Sequence, residues 1–221
     1  MNRLPRAGEA EERAQFMLRM RARGVSDVRL LRAMELTPRA LFMPQRYADI
    51  SARDIALPIG CGQTSPPPSM LASMIEALRL DEESTVLEIG TGSGYAAALI
   101  AQMCGEVTSL ERCQSLAVEA QSRLSAFGLK RIGVHYADAL SLSTSRVFDR
   151  VIVHALVEPP AERLTRFVAP GGALVAAITG EAPSEQRILR VTREGNGALQ
   201  ASVRGVVRTF MPLVEGLARA L

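Results

Sequence analysis

The sequence predicts an α/β fold: a doubly wound, mostly parallel sheet that finishes in an antiparallel C-terminal edge hairpin and is preceded by helices. Three observations predict it. From Ser69 to Ile178 short β-branched runs alternate with helical periods, the order that builds parallel strands with helices covering them. One run, Val151-Ile152-Val153, is apolar at every position, as a strand covered on both faces must be. Near the end, Gly195-Asn196-Gly197 separates two strand-like runs, and strands joined by so tight a turn must be antiparallel.

Taken in order, the chain opens with an Arg-rich helical stretch over 8–47. Ala14, Met17, Leu18 and Arg21 follow an amphipathic spacing that Gly24 stops, and Ser26 offers an N-cap to a second stripe of Val28, Leu30, Leu31 and Met34. Thr37-Pro38 opens a short third segment with Leu41 and Phe42 as buried candidates. Residues 50–68 hold too many glycines and prolines for regular structure, while Ile55, Leu57 and Ile59 predict a loop packed down on the body. A helix follows over 69–80 with Ser69 as its expected cap, then a strand over 85–89 and a helix over 95–103. Next come a strand over 107–110, a helix over 116–127 and strands over 132–136 and 148–154. A helix over 160–167 and a strand over 173–178 precede the hairpin of 188–193 and 199–207. The expected organisation is a helical cap over 1–55 and an α/β domain over 56–221 in one unit.

Composition excludes several classes of function. Hydrophobic residues make up 48 % and charged residues 22 %, which excludes a disordered or fibrous chain. No apolar run approaches the length of a membrane helix, and the charged first 16 residues lack the apolar stretch of a signal peptide, so a cytoplasmic protein without a membrane partner is expected. Cys61, Cys104 and Cys113 suit neither a disulfide framework nor a zinc site, and three reduced thiols and no metal are expected. The net charge of +3 comes from dispersed arginines with Lys130 the only lysine, which is not the clustered footprint of a nucleic-acid binder. A monomer or small homo-oligomer is expected.

The chemistry points to Val86-Leu87-Glu88-Ile89-Gly90-Thr91-Gly92-Ser93-Gly94-Tyr95, where a first strand ends and a helix begins. Such a junction exposes backbone N–H groups, and its glycines let a ligand approach closely. The spacing G-x-G-x-G is one residue short of the dinucleotide fingerprint, and no Walker lysine is present. Glu88 is awkward for a pyrophosphate but favourable for a cationic amino group. Glu111 ends the second strand, where a carboxylate can accept hydrogen bonds from both ribose hydroxyls, and Asp138 follows the third, placed for an adenine amine. Three acids at three successive strand ends beside this loop predict a Rossmann-like sheet that binds S-adenosylmethionine. The predicted contacts are Glu88, Gly90, Thr91, Gly92, Ser93, Gly94, Tyr95, Glu111, Arg112, Asp138 and Ala139.

Leu57-Pro58-Ile59-Gly60-Cys61-Gly62-Gln63-Thr64 and the glycine loop resemble the protein-L-isoaspartate O-methyltransferase family. So do Leu110-Glu111-Arg112, Phe148-Asp149-Arg150-Val151-Ile152-Val153, Ala169-Pro170-Gly171-Gly172 and the tail Phe210-Met211-Pro212-Leu213-Val214-Glu215-Gly216. The resemblance runs from about Arg32 to Leu217. It implies methyl transfer to the α-carboxylate of isoaspartyl residues in aged proteins, a nucleophile already ionised at neutral pH that needs no general base. It also implies that the loop 60–69 covers the cofactor and presents donors to that carboxylate, with Ile59, Gly60 and Gln63 near the substrate; His154 is placed near it instead by its position at the carboxyl edge of the sheet.

Two departures qualify the resemblance. The family reads G-Q-T-I-S-x-P, whereas Pro66 stands here at the serine position, and proline offers neither hydroxyl nor N–H. Ser65, after a one-residue shift, or Thr64 can supply the hydroxyl as the catalytic donor. Otherwise the isoaspartyl activity is lost or redirected to another acceptor. His154 replaces the family's usual threonine after the fourth strand. It is either a packed residue with one satisfied nitrogen or a substrate contact, and a histidine base would suit a neutral alcohol or amine.

Overall fold

A computed structural model describes residues 7–158, 161–182, 185–207 and 210–219. Its centre is a seven-stranded sheet in the order β5-β4-β3-β6-β7-β8-β9. These strands are β3 (Thr85–Ile89), β4 (Glu106–Glu111), β5 (Ile132–Tyr136), β6 (Phe148–Val157), β7 (Val168–Thr179), β8 (Gln186–Arg193) and β9 (Leu199–Val207). Pairing is parallel from β5 through β7 and antiparallel for β7–β8 and β8–β9, so the edge hairpin forms as the Gly195-Asn196-Gly197 turn requires. The chain runs outward from β3 to β5 and then crosses back to place β6 on the other side of β3. That reversal opens a crevice at the carboxyl ends of β3 and β6, where ligands bind in sheets of this kind.

Helices α3 (Pro68–Leu78), α4 (Tyr95–Ile100), α5 (Gln114–Ala126) and α6 (Glu162–Thr165) connect the strands, behind α1 (Ala7–Ala22) and α2 (Val28–Leu36). Apolar burial forms two clusters. One gathers Phe16, Met20, Leu30 and Met34 from the first two helices together with Leu71, Ile75, Tyr95, Leu99 and Ile152. The other gathers Leu87, Ile89, Val151, Val153, Leu174 and Leu189. Neighbouring residues of β3 and β6 thus face different clusters, because side chains alternate across a strand.

Several local expectations are corrected. In α1 the buried stripe is Phe16 and Met20 with Met17 beside them, while Ala14 and Leu18 are exposed. Asp27, not Ser26, caps α2, its carboxylate accepting from the N–H groups of Arg29 and Leu30; carboxylates are as good at this position as hydroxyls. Phe42 is buried but Leu41 and Ile55 are exposed. Ser69 is inside α3 rather than its cap, and its N–H and hydroxyl donate to Asp54 at 3.0 and 2.8 Å. The glycine- and proline-rich loop contains a two-residue antiparallel pair, β1 (Leu57–Pro58) with β2 (Thr64–Ser65). Its tip is bonded to the body: Cys61 and Cys113 form a disulfide, which overturns the expectation of three reduced thiols and leaves Cys104 as the free, buried one. Two cysteines 52 residues apart give no pairing signal in the sequence, because only the fold brings the loop to the end of β4. The helix expected over 160–167 is the single turn α6, and residue 160 lies outside the described residues.

Candidate active site

A cavity of about 250 Å³ lies in the crevice. Its floor is the glycine loop between β3 and α4. Gly90, Gly92 and Gly94 all have positive φ, at 90°, 55° and 87°, a conformation other residues rarely adopt. Gly94 serves packing rather than the ligand: a Cβ there would stand 3.3 Å from that of Ala120 in α5. Its walls come from the ends of β4, β5 and β6, from the β1–β2 hairpin, and from a C-terminal strap over 210–219.

The carboxylate of Glu111, at the end of β4, accepts from the N–H of Gly92 at 2.8 Å and that of Cys113 at 2.9 Å. Burial raises its carboxyl above the ordinary range, and those two N–H groups only partly offset this. Asp138, just past β5, accepts from the N–H groups of Leu140 and Gly216 at 2.9 and 2.8 Å. Burial alone would raise it, but the Gly216 and Leu140 donors outweigh burial and hold it below its usual value. Asp138 thereby anchors the strap, which also pairs Ala218 with Cys113 and Pro212 with Leu156.

The hairpin is held from behind by a residue the sequence did not single out. Arg39 is 4 % exposed, and its guanidinium donates to the carbonyls of Ser51, Ile55, Ser65 and Pro66 and to the Ser65 hydroxyl oxygen at 3.2 Å. Desolvation lowers its pKa to about 10, against the pull of Tyr95 and Asp54. Nothing in a chain with so many arginines marks this one. The Ser65 oxygen accepts from Arg39, which leaves its hydroxyl proton free to donate.

Behind the loop lies a second polar group. Glu88 is fully buried between Ser109 of β4 and Ile152 of β6. One of its oxygens accepts a short hydrogen bond from the Ser109 hydroxyl, which in turn lies 2.5 Å from that of Thr91. The other is 3.1 Å from Nε2 of His154. Ser109 was also missed; its signal was a polar residue in β4 that shares the cross-strand position of Glu88.

Of the expected site residues, Ile59, Gln63, Thr64, Ser65, Gly90, Thr91, Gly92, Ser93, Tyr95, Glu111, Arg112, Asp138, Ala139 and His154 line the cavity together. Gly60, Glu88 and Gly94 do not line it. Gly60 is pressed on Leu116, where a Cβ would meet the side chain at 3.2 Å. Met211, Leu213 and Val214 of the strap are additional wall residues. The site fits an adenosine ligand on its own geometry: acceptors at the ends of β4 and β5 retain free lone pairs, and the left-handed glycines keep side chains off the loop. Among the described residues no lysine lines it.

Comparison with known proteins agrees with this arrangement. The family model of protein-L-isoaspartate(D-aspartate) O-methyltransferase matches residues 11–218. A protein-L-isoaspartate O-methyltransferase of Azorhizobium caulinodans is 42 % identical over 96 % of this chain and 97 % of its own, and one of Xanthobacter autotrophicus is 39 % identical over 97 % of each. Among solved structures, a protein of that description from Plasmodium falciparum, in complex with S-adenosyl-L-homocysteine, superposes with a TM-score of 0.77 at 20 % identity. It covers 90 % of this chain and 97 % of its own. That match speaks for the fold, while the sequence matches speak for kinship. The chain belongs to the protein-L-isoaspartate(D-aspartate) O-methyltransferase family.

Proposed function

We propose that this protein transfers a methyl group from S-adenosylmethionine to the α-carboxylate of L-isoaspartyl residues in damaged proteins. The observation that carries the reading is a single cavity walled on one side by the glycine loop and Glu111 and on the other by the β1–β2 hairpin. When bound, S-adenosylmethionine supplies an electrophilic methyl group on a positively charged sulfur. Glu111 would hold the ribose hydroxyls and the region of Asp138 and Ala139 the adenine, while Gly90, Thr91 and Gly92 bring backbone close to the rest.

The chain's own work is positioning. An isoaspartyl α-carboxylate is ionised at neutral pH, so no side chain has to remove a proton from it. Holding its oxygen in line with the methyl carbon supplies the rate. The Ser65 hydroxyl, with the Arg39 guanidinium behind it, would donate to that carboxylate and take over the role that Pro66 cannot fill; Thr64 is exposed at the mouth. Ile59 and Gln63 flank the same opening. The strap and hairpin together exclude water from the reaction. The resulting ester closes to a succinimide, whose hydrolysis returns part of the material as normal aspartate. We assign 1–55 as a helical cap on the methyltransferase domain of 56–221, acting as one unit.

Incubating an isoaspartyl peptide with the protein and S-adenosylmethionine is expected to convert it, by chromatography, to succinimide and normal aspartyl peptide. An unchanged peptide, with S-adenosylhomocysteine binding confirmed in the same preparation, contradicts the acceptor.

A further inference from the structure

Glu88 was expected beside the ligand as the partner of a cationic amino group, yet its carboxylate is sealed behind the cavity wall and its neighbour His154 forms the wall. We propose that His154 is the side chain that meets the amino-acid end of the cofactor, and that Glu88 acts through it as a positioning residue. The proposal rests on the cofactor reading above.

The hydrogen-bond chain fixes which atoms are available. A carboxylate only accepts, so Ser109 gives its proton to Glu88, Thr91 gives its own to Ser109, and Nε2 of His154 carries the hydrogen that points at Glu88. In the neutral ring, whose one hydrogen is then on Nε2, Nδ1 holds a lone pair. That atom is buried in a side chain only 7 % exposed, and it has no hydrogen-bond partner among the described residues. A buried acceptor left without a donor is destabilising, and a ligand that donates to it removes that cost.

The backbone shows the same design. Val153 pairs with Ala176 but Leu156 pairs with Ala177, so His154 and Ala155 are two extra residues in β6 with no counterparts in β7. A bulge of this kind re-aims a side chain, and bulges collect beside active sites. Here it sets His154 against Gly90: a Cβ on that glycine would lie 3.5 Å from the Cβ of His154. The imidazole stands where the glycine loop begins, on the opposite side of the loop from the Glu111 and Asp138 strands.

The α-ammonium of S-adenosylmethionine is a donor with no lone pair and a full positive charge. A neutral imidazole lone pair accepts one of its N–H groups, and the buried Glu88 behind the ring supplies the balancing negative charge. A substrate carboxylate is the wrong partner for Nδ1, because both would offer lone pairs. His154 is thereby a cofactor residue and not an acceptor contact.

The test compares S-adenosylhomocysteine with 5′-methylthioadenosine, which shares its adenosine and thioether but lacks the amino-acid end. Dissociation constants measured by calorimetry need no turnover. His154→Ala is expected to weaken S-adenosylhomocysteine by about tenfold or more while moving 5′-methylthioadenosine by less than about twofold. Glu88→Gln is expected to show the same selectivity, and in the His154→Ala background it should add no further selective loss. A purely structural role for either residue would weaken both ligands alike. Equal loss for both ligands, or none for either, overturns the proposal. If His154→Ala does not fold, His154→Leu, which fills the space without an acceptor, is put through the same comparison and is read the same way. A wild-type protein that binds neither ligand would overturn the cofactor reading itself, a different result from binding without selectivity.

Discussion

Glu111 is the site residue whose chemistry is most exposed to pH. Its carboxyl is raised by burial and only partly rescued by the N–H groups of Gly92 and Cys113. A carboxyl with a raised pKa takes up its proton at a higher pH than an ordinary glutamate, and once protonated it offers ribose hydroxyls a poorer acceptor. Affinity for S-adenosylhomocysteine is therefore expected to fall on acidification, beginning above the ordinary glutamate range. Glu111→Gln should bind more weakly at neutral pH and lose that dependence. Calorimetry across a pH series checks this, and parallel profiles for the two proteins would contradict it. The sequence placed this acid at a strand end, but its protonation behaviour follows from burial at 6 % exposure, which no spacing reports.

At the scale of elements, the β1–β2 hairpin carries the departure from the family pattern. Pairing Leu57 with Ser65 and Pro58 with Thr64 turns Ser65 inward onto Arg39 and leaves Thr64 outward. Ser65→Ala is expected to lower kcat/KM for an isoaspartyl peptide by about tenfold while S-adenosylhomocysteine affinity holds within about twofold, as loss of one charge-assisted donor predicts. Unchanged kcat/KM would remove Ser65 from its role. Most elements were legible in the sequence because β-branched runs and glycine turns act locally. Their ends were less so: β7 runs from Val168 through Pro170-Gly171-Gly172, and β6 continues past His154 to Val157. In both, a register irregularity lets the strand continue where periodicity predicts a stop. The proline- and glycine-rich loop hid a strand pair because two residues are too few to leave a period.

At the scale of the whole molecule, the site exists because distant segments converge. The first two helices share a core with α3, α4 and β6, the hairpin is tied to the end of β4 by the Cys61–Cys113 disulfide, and the strap returns from the C-terminus to Asp138. The sequence showed acids at three successive strand ends, and all three stand near one crevice. It could not show that Glu88 faces away from the cavity while Glu111 and Asp138 face it, because that depends on which side of β3 is filled by Ser109 and His154. Arg39 and the strap were illegible for the same reason: each acts through contacts with partners far away in sequence. The family resemblance supplied the acceptor, which no periodicity encodes.

This cavity, with proline at the usual serine position, is expected still to methylate isoaspartyl carboxylates. The direct test is transfer of labelled methyl from S-adenosylmethionine to a peptide with one isoaspartyl residue, set against its normal aspartyl twin. Base-labile label on the isoaspartyl peptide alone is the expected result. Label on neither peptide, or equally on both, would contradict it.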